Sequence, residues 1–516
     1  METYLPLIAL VPPAALALCA LLAVFAQGAR PRALERASVA AAALGAVVAP
    51  AVAVWIAIVG TRTTGLLGAE GLGFSLRLDA LAVTLFAMVA LLGLVIVRFS
   101  RTYLDGDSRQ GVFLGRLCAT IATVEVLVVA GNLLLFVAAW IGTSFFLHGL
   151  LVFYRDRRRA RIAARKKFIV ARVGDAAIIG AAVLLYRTLG TGELGAILER
   201  APALTGVASA TLAIAAALIA GAAILKSAQF PTHGWLVEVM ETPTPVSALL
   251  HAGILNAGPF LVVRFAGVMG HGAVAPTLLV VFGGFTALFA SVVLLTQPTV
   301  KVALGYSSAA HMGFMLLVCG LGVYPAAILH LVAHSFYKAH AFLSSGSAVE
   351  SAVAARIATT APQQSALRLL GSLVVALGVY LGLAALYGVQ VATDPALLAV
   401  GAILVMGLTQ LLAPAFAKQG ADVLLRVIGL ALAVGVAFFT LEPATAWLLE
   451  PSLPAPGAAS PTTLVLVAVV LASFAIAIGA QIAGPTVRPV RALHIHLKNG
   501  LYANALFDRL VGAHRR

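Results

Sequence analysis

Three titratable side chains share one face of a helix in the run Leu329-His-Leu-Val-Ala-His-Ser-Phe-Tyr-Lys338. His330, His334 and Lys338 stand at i, i+4 and i+8, a spacing that stacks them in a line. Imidazole gains and loses a proton near neutrality, so such a line can pass protons. The rival chemistry is a His-x-x-x-His metal pair. Zinc asks for a third ligand and usually a carboxylate, and neither is local. The plainer alternative is a polar helix face packed against a neighbour. The proton path is carried forward here, with no metal ligand and no catalytic residue assigned to the chain.

Other ionisable residues fall inside apolar runs, where a charge costs at least about 2.5–3.5 kcal/mol and needs a role or a partner. Lys226 closes a long apolar run just before Pro231 and Gly234. It reads equally as a switching charge and as an anchor reaching the membrane surface. His251, in Leu249-Leu-His-Ala-Gly253, follows a proline-rich break and reads as a wire member or as a structural hydrogen-bonder. Lys301 opens the run that reaches His311; it can be a surface anchor, whereas His311 lies deeper and suits a wire better. Asp175 follows Arg172 at i+3, a spacing at which the pair can neutralise itself on a helix. Asp175, Glu238 and Glu241 are candidate partners for Lys226. Glu125 lies near the end of an apolar run and reads either as an exit group or as an interfacial residue.

Such residues need a membrane scaffold. The chain has 516 residues, of which 61% are hydrophobic and 10% charged, with a mean hydropathy of +1.04. A soluble chain of this length needs more surface charge. Apolar runs fall at 4–26, 37–60, 79–97, 112–130, 132–153, 168–186, 207–228, 245–269, 275–296, 301–320, 324–346, 366–388, 395–416, 425–441 and 462–483. Runs of about 20 residues match a hydrocarbon core of about 30 Å, so we expect an all-α polytopic membrane protein of about 15 transmembrane helices. The membrane domain is expected over 1–484 and a basic, amphipathic tail over 485–516. The first run carries Glu2 as its early charge and reads as a first span, not a removed signal.

The formal charge is +15. With the N-terminus outside, about 27 of the 34 Lys and Arg residues fall in inside loops and the tail. The densest group runs from Arg155 to Arg172. This asymmetry places the C-terminus in the cytoplasm. It also accounts for the charge without nucleic acid, since no basic face with interleaved aromatics is seen. Cys19, Cys118 and Cys319 lie far apart in sequence and suggest neither a disulfide framework nor a metal site.

Two stretches break helix rules. Lys226-Ser-Ala-Gln-Phe-Pro-Thr-His-Gly-Trp235 carries Pro231 and Gly234, and Glu241-Thr-Pro-Thr-Pro-Val-Ser247 carries two prolines. Proline interrupts the i→i−4 ladder. Freed carbonyls at membrane depth are tolerated where they are buried in protein or line a cavity. Interrupted helices often mark ion sites in transporters. The alternative is an ordinary loop followed by a proline-initiated helix.

These residues also resemble a known family. The runs Lys226 to Pro231, Trp235-Leu236, Met240 to His251, Lys301-Val-Ala-Leu-Gly-Tyr-Ser307 and Phe342-Leu-Ser-Ser-Gly-Ser347 carry the likeness, together with His330, His334 and Lys338. They are similar to the antiporter-like membrane subunits of respiratory complex I, Mrp antiporters and membrane hydrogenases, over roughly residues 75–350. The likeness extends to NADH dehydrogenase subunit 5. The resemblance implies two inverted five-helix bundles, each with a broken helix, around a polar axis. It implies that Lys226 is the lysine before the first broken helix, and that His251, His330, His334 and Lys338 belong to the axis. Asp175 matches the carboxylate of an Arg-Val-Gly-Asp run.

Three departures from that pattern set the chain apart from complex I. Ile141 follows Trp140 where the family carries a glutamate that partners the lysine. No lysine lies between Lys338 and Lys418, where an exit-side lysine is expected. No long lateral helix is evident. The segments Trp140 to Tyr154, Ala163-Ala-Arg-Lys-Lys-Phe168 and Leu249 to Asn256 resemble instead the membrane subunits of DAB inorganic-carbon accumulation complexes. That likeness implies a cation-translocating subunit, with protons favoured by the histidine line, in a bacterial inner membrane. It implies no cofactor in this chain and a large cytoplasmic zinc partner resembling a β-carbonic anhydrase (DabA), which hydrates CO2 to bicarbonate. The alternative is a proton- or sodium-pumping subunit of a complex I-like, hydrogenase or Mrp antiporter complex.

Overall fold

The computed structural model describes residues 5–26, 28, 30–239, 242–297, 299–346, 366–389, 395–417, 421–454, 460–483 and 495–511. A 3-10 turn at Leu5–Leu10 leads into α1 (Val11–Leu22), and α2 (Arg32–Val59) returns. Four short strands follow: β1 (Arg62–Thr63), β2 (Leu67–Ala69), β3 (Leu72–Phe74) and β4 (Arg77–Leu78). β2 pairs antiparallel with β3 and β1 with β4. The turn between β2 and β3 needs Gly71, whose φ is +76°. Strands of two or three residues carry too little alternation to be read from sequence.

The helices that carry the site begin at α3 (Ala80–Tyr103), where Asp79 caps the first turn by accepting from the Ala82 amide at 2.9 Å. α4 (Gln110–Val129), α5 (Leu133–Leu151) and α6 (Arg158–Leu189) follow, then the short α7 (Leu194–Arg200). α8 (Gly206–Lys226) stops where Pro231 and Gly234 predict a break, and α9 (Gly234–Glu238) resumes for little more than one turn. The next span is split into α10 (Thr244–Ala252) and α11 (Ala257–Arg264), with α12 (Ala266–Met269) beyond it. α13 (Val274–Leu294), α14 (Val300–Gly320) and α15 (Tyr324–Leu343) come next. The chain continues through α16 (Ala366–Leu386), α17 (Pro395–Leu412), α18 (Ala421–Leu449) and α19 (Pro461–Ala483), and ends its described part in α20 (Ala503–Leu510).

Among the described residues, 12 helical segments are long and apolar enough to cross a membrane, so the protein is a multi-pass membrane protein. Shorter apolar stretches at Ala399–Leu412 and Pro461–Ala477 fall below that length. α15 has the length, but His330, His334, Lys338 and His340 lower its hydropathy. The expected count of about fifteen is therefore not reached by apolar length alone.

One end of the molecule is fastened by Arg109, which donates to the Phe153 carbonyl at 2.9 Å, and by Arg116, which donates to Gly149 O at 2.6 Å. This end carries the Arg155–Lys167 group. The opposite end holds the strands, Asn132 bonded to Glu193 at 2.6 Å, and His271 bonded to Ser209 at 2.8 Å. α4 starts at the basic end and α13 at the strand end, so the bundle opened by α4 and the one opened by α13 run in opposite senses. α4, α5, α6, α8 and α11 pack in succession in the first; α13, α14 and α15 do so in the second.

α13 and α14 cross at two glycines. A Cβ on Gly283 would stand 2.6 Å from Gly313 O, and one on Gly313 would stand 2.5 Å from Gly283 O. Small residues let membrane helices touch backbone to backbone. Gly313→Val is expected to force the pair apart, at a cost above the about 1–3 kcal/mol usual for overpacking. A thermal midpoint in detergent, followed by size-exclusion, should fall sharply; an unchanged midpoint would contradict this crossing.

Candidate functional site

Lys226 is the last residue of α8, where the helix yields to a loop. Its Nζ donates to Ser144 Oγ at 2.9 Å and to the Trp140 carbonyl at 3.4 Å. The same ammonium lies 4.2 Å over the Trp140 ring, a cation–π contact. Asp175 of α6 pairs with Arg172 at 2.5 Å and feels the fields of Lys226 and Lys167. The carboxylate thus serves a lysine pair as well as the arginine at i−3. Lys167 is buried, and its Nζ donates to Ser144 O at 3.0 Å. A group from α5, α6 and α8 is thereby gathered around one serine.

A polar seam leads away from that group through the interrupted span. Ser227 Oγ donates to Leu255 O at 3.1 Å. Asn256 Nδ2 donates to Ala252 O at 3.0 Å and to Ser335 Oγ at 2.7 Å. These bonds satisfy carbonyls that the α10–α11 break releases, as membrane depth demands. Gly258 is pressed against Ala223 O and Ser227, so α8 and α11 meet with no room for a side chain. In sequence the stretch at 245–269 reads as a single apolar run. The break at 253–256 sits inside an apolar stretch with no proline at that point, and only Gly253 and Asn256 signal it.

The seam ends at a second cluster. His251 of α10 is buried and stacks on Phe342 of α15, with ring centroids 4.3 Å apart. His311 Nδ1 and His330 Nε2 are 2.9 Å apart, and the His311 and His334 rings are 4.8 Å apart. Lys338, fully buried, donates from Nζ to Ser307 Oγ at 2.8 Å and to Leu304 O at 3.2 Å. His334 feels the fields of His311, His330, Lys338 and His251. The i, i+4, i+8 line of α15 therefore meets α10 and α14 as one group. Nitrogens of His311, His330 and His334 lie within 4.8 Å of one another, which is close enough to share an ion. The third donor that the His-x-x-x-His pair lacked in sequence comes from α14, and among the described residues no carboxylate joins the three.

The remaining candidates stand at the basic end or off the axis. Lys301 begins α14 and donates to Thr244 Oγ1 of the broken span at 3.2 Å. Glu238 does not reach Lys226; it pairs with Lys166 at 2.7 Å and accepts from Asn504 Nδ2 at 2.5 Å. Glu241 lies outside the described residues. Glu125 is buried in α4 beside Gly45 of α2, away from both clusters.

Lys166, Lys167 and Ser144 were missed in the sequence because the lysines sit in a dense basic run that reads as a surface loop. α6 starts at Arg158, inside that run, and its winding buries Lys166 and Lys167 on separate faces.

Lys166 also holds the C-terminal helix. Asn504 Oδ1 accepts from its Nζ at 2.8 Å, and Asp508 pairs with it. Gly234 faces Asn504 so closely that a Cβ there would strike the amide. The amphipathic tail is thus seated on α6 and α9 of its own chain. Lys166→Met should leave Glu238 and Asp508 without their cation and release α20. Limited trypsinolysis should then cut after Lys498 or Arg509 faster than in the parent protein; an equal rate would contradict the seating.

Comparison with known proteins agrees with this geometry. Residues 130–386 match the family model described as NADH:quinone oxidoreductase/Mrp antiporter, transmembrane. The chain is 39% identical over 444 residues to the probable inorganic carbon transporter subunit DabB2 of Halothiobacillus neapolitanus, covering 85% of this chain and 80% of that protein. The chain belongs to the DabB family. This DabB-family chain is also 36% identical over 283 residues to NADH-quinone oxidoreductase subunit L of Escherichia coli, covering 55% of this chain and 46% of that one. A solved Mrp complex from Dietzia sp. shares the fold, with a TM-score of 0.66 at 24% identity, over 99% of this chain and 60% of that one.

Proposed function

We propose that this DabB-family chain is the proton-translocating membrane subunit of an inorganic-carbon accumulation complex. The observation that carries the reading is the pair of buried lysine clusters, Lys226 with Ser144 and Asp175, and Lys338 with the histidines, joined by the seam through Asn256. Charges this deep in a membrane protein are costly to keep without a role. The roles assigned are proton carriage for Lys226, His251, His311, His330, His334 and Lys338, tuning of Lys226 by Asp175, and a place on the path at the basic end for Lys301 and Glu238.

The basic end faces the cytoplasm of a bacterial inner membrane in this reading, with the N-terminus outside. There it meets a large zinc partner resembling a β-carbonic anhydrase. The names of the DabB relatives support the carbon reading. Zinc-bound water in the partner would lose a proton to become the nucleophile on CO2. One charge moving down 100 mV supplies about 2.3 kcal/mol. A tenfold concentration ratio costs about 1.4 kcal/mol, so one charge sustains a roughly fiftyfold bicarbonate excess.

Subunit L similarity supports a second reading, a pump within a redox complex. Affinity purification from native membranes separates the two. A copurifying zinc protein is the expected result; redox subunits in its place would overturn the carbon reading.

A further inference from the structure

Two lysines converge on Ser144. Lys226 donates to its hydroxyl at 2.9 Å from α8, and Lys167 donates to its carbonyl at 3.0 Å from α6. Ser144 is 2% exposed and Lys167 5%. No carboxylate lies within ion-pairing distance of the Lys167 ammonium among the described residues; it donates to the Ser144 backbone carbonyl. The charges around it are Lys226 on α8, Asp175 and Arg172 on α6, and His148 on α5. A permanent ammonium here would face one carboxylate that already serves Lys226 and Arg172. Two cations and an arginine against a single Asp175 is a poor resting arrangement in a low dielectric, unless a lysine gives up its proton.

From this geometry we infer that Lys167 is a further proton-carrying residue of the path, exchanging its load with Lys226 across Ser144. The inference rests on the translocation reading above. In the exchange one proton moves. Lys226 passes from ammonium to amine as the Ser144 hydroxyl accepts its proton; the hydroxyl then turns toward Lys167, which already rests on the carbonyl of the same serine, and hands on its own proton, so that the Lys167 amine becomes the ammonium. Nothing is oxidised or reduced. Lys167 lies nearer the start of α6 and therefore nearer the basic end, so it takes or delivers the proton on that side. Its neighbour Lys166 does not share the task, because Glu238, Asn504 and Asp508 hold it.

Substitutions separate carriage from anchoring. Arginine can donate to Ser144 O but does not release its proton, whereas histidine can do both. The purified complex is reconstituted in vesicles, and proton flux under an imposed pH gradient is followed with an enclosed pH dye. Lys167→Arg and Lys167→Gln should each lower flux about 100-fold or more, as loss of a proton-transfer group does. Lys167→His should retain a substantial part of it, with an altered pH profile. Size-exclusion profiles matching the parent protein identify the folded variants, and Lys167→His keeps the comparison open if Lys167→Gln fails to fold. Parent-level flux in Lys167→Arg overturns the relay alone. Absence of flux in the parent complex overturns the translocation reading and the relay with it.

Discussion

Lys338→Met is expected to abolish net carbon accumulation while the protein still assembles in the membrane. Lys338 is fully buried, and its ammonium is held by Ser307 Oγ and Leu304 O of α14, with no carboxylate in bonding distance among the described residues. Methionine keeps the length of the side chain and removes a charge that burial makes costly, so the fold has little to lose. On the proposed proton path, the station between the histidines and the basic end is then lost. Loss of a proton-transfer group lowers rate by about 100-fold or more, and Lys226→Met should match it. The two together should be no worse than either alone, because groups that act in series do not add. Labelled bicarbonate uptake by cells that depend on this protein reads the effect directly. Near-parental uptake in Lys338→Met, at equal membrane abundance, would remove Lys338 from the path.

The second large effect falls on stability. Asp79 and Arg264 are both buried, with Arg264 Nη1 at 2.6 Å from Asp79 Oδ2, and Arg77 Nε reaches the same oxygen at 2.8 Å. The other carboxylate oxygen caps α3. Asp79→Ala strips a cap worth about 1 kcal/mol. It also strands a buried guanidinium, at a cost of about 3–5 kcal/mol. The ion pair that ties the end of α11 to the start of α3 at the strand end is then lost. The variant should give little folded protein, or a midpoint many degrees lower. Asp79→Leu combined with Arg264→Met should recover most of the loss, since it removes both charges. A double variant as unstable as Asp79→Ala would show that the pair matters for some other reason than its uncompensated charge.

Much of the site was legible because its signals are local. His330, His334 and Lys338 sit on one helix at i+4 steps, so their line needs no tertiary knowledge. Pro231 and Gly234 announce the end of α8, since proline cannot continue the ladder. What stayed hidden depends on contacts far apart in sequence. Asn504 meets Lys166 across a separation of 338 residues, and nothing in the tail's amphipathic pattern says which surface it will cover. His311 reaches His330 only because α14 packs on α15. Lys167 was masked for a different reason. In a run with so many arginines, buried and exposed cations look alike until the helix start at Arg158 fixes which faces turn inward. Ser144 carries no charge, and its importance follows only from the two lysines that end on it.

Under the proposed function, proton movement through this chain drives CO2 hydration in the partner. The most direct measurement follows both at once in vesicles holding the purified complex, with proton entry read by an enclosed dye and bicarbonate formation by isotope exchange. The expected result is that an imposed proton gradient shifts the bicarbonate to CO2 ratio beyond its equilibrium value, and that Lys338→Met removes the shift and the proton flux together. Bicarbonate formation that reaches only equilibrium with or without the gradient, or a shift that persists in Lys338→Met, would contradict it.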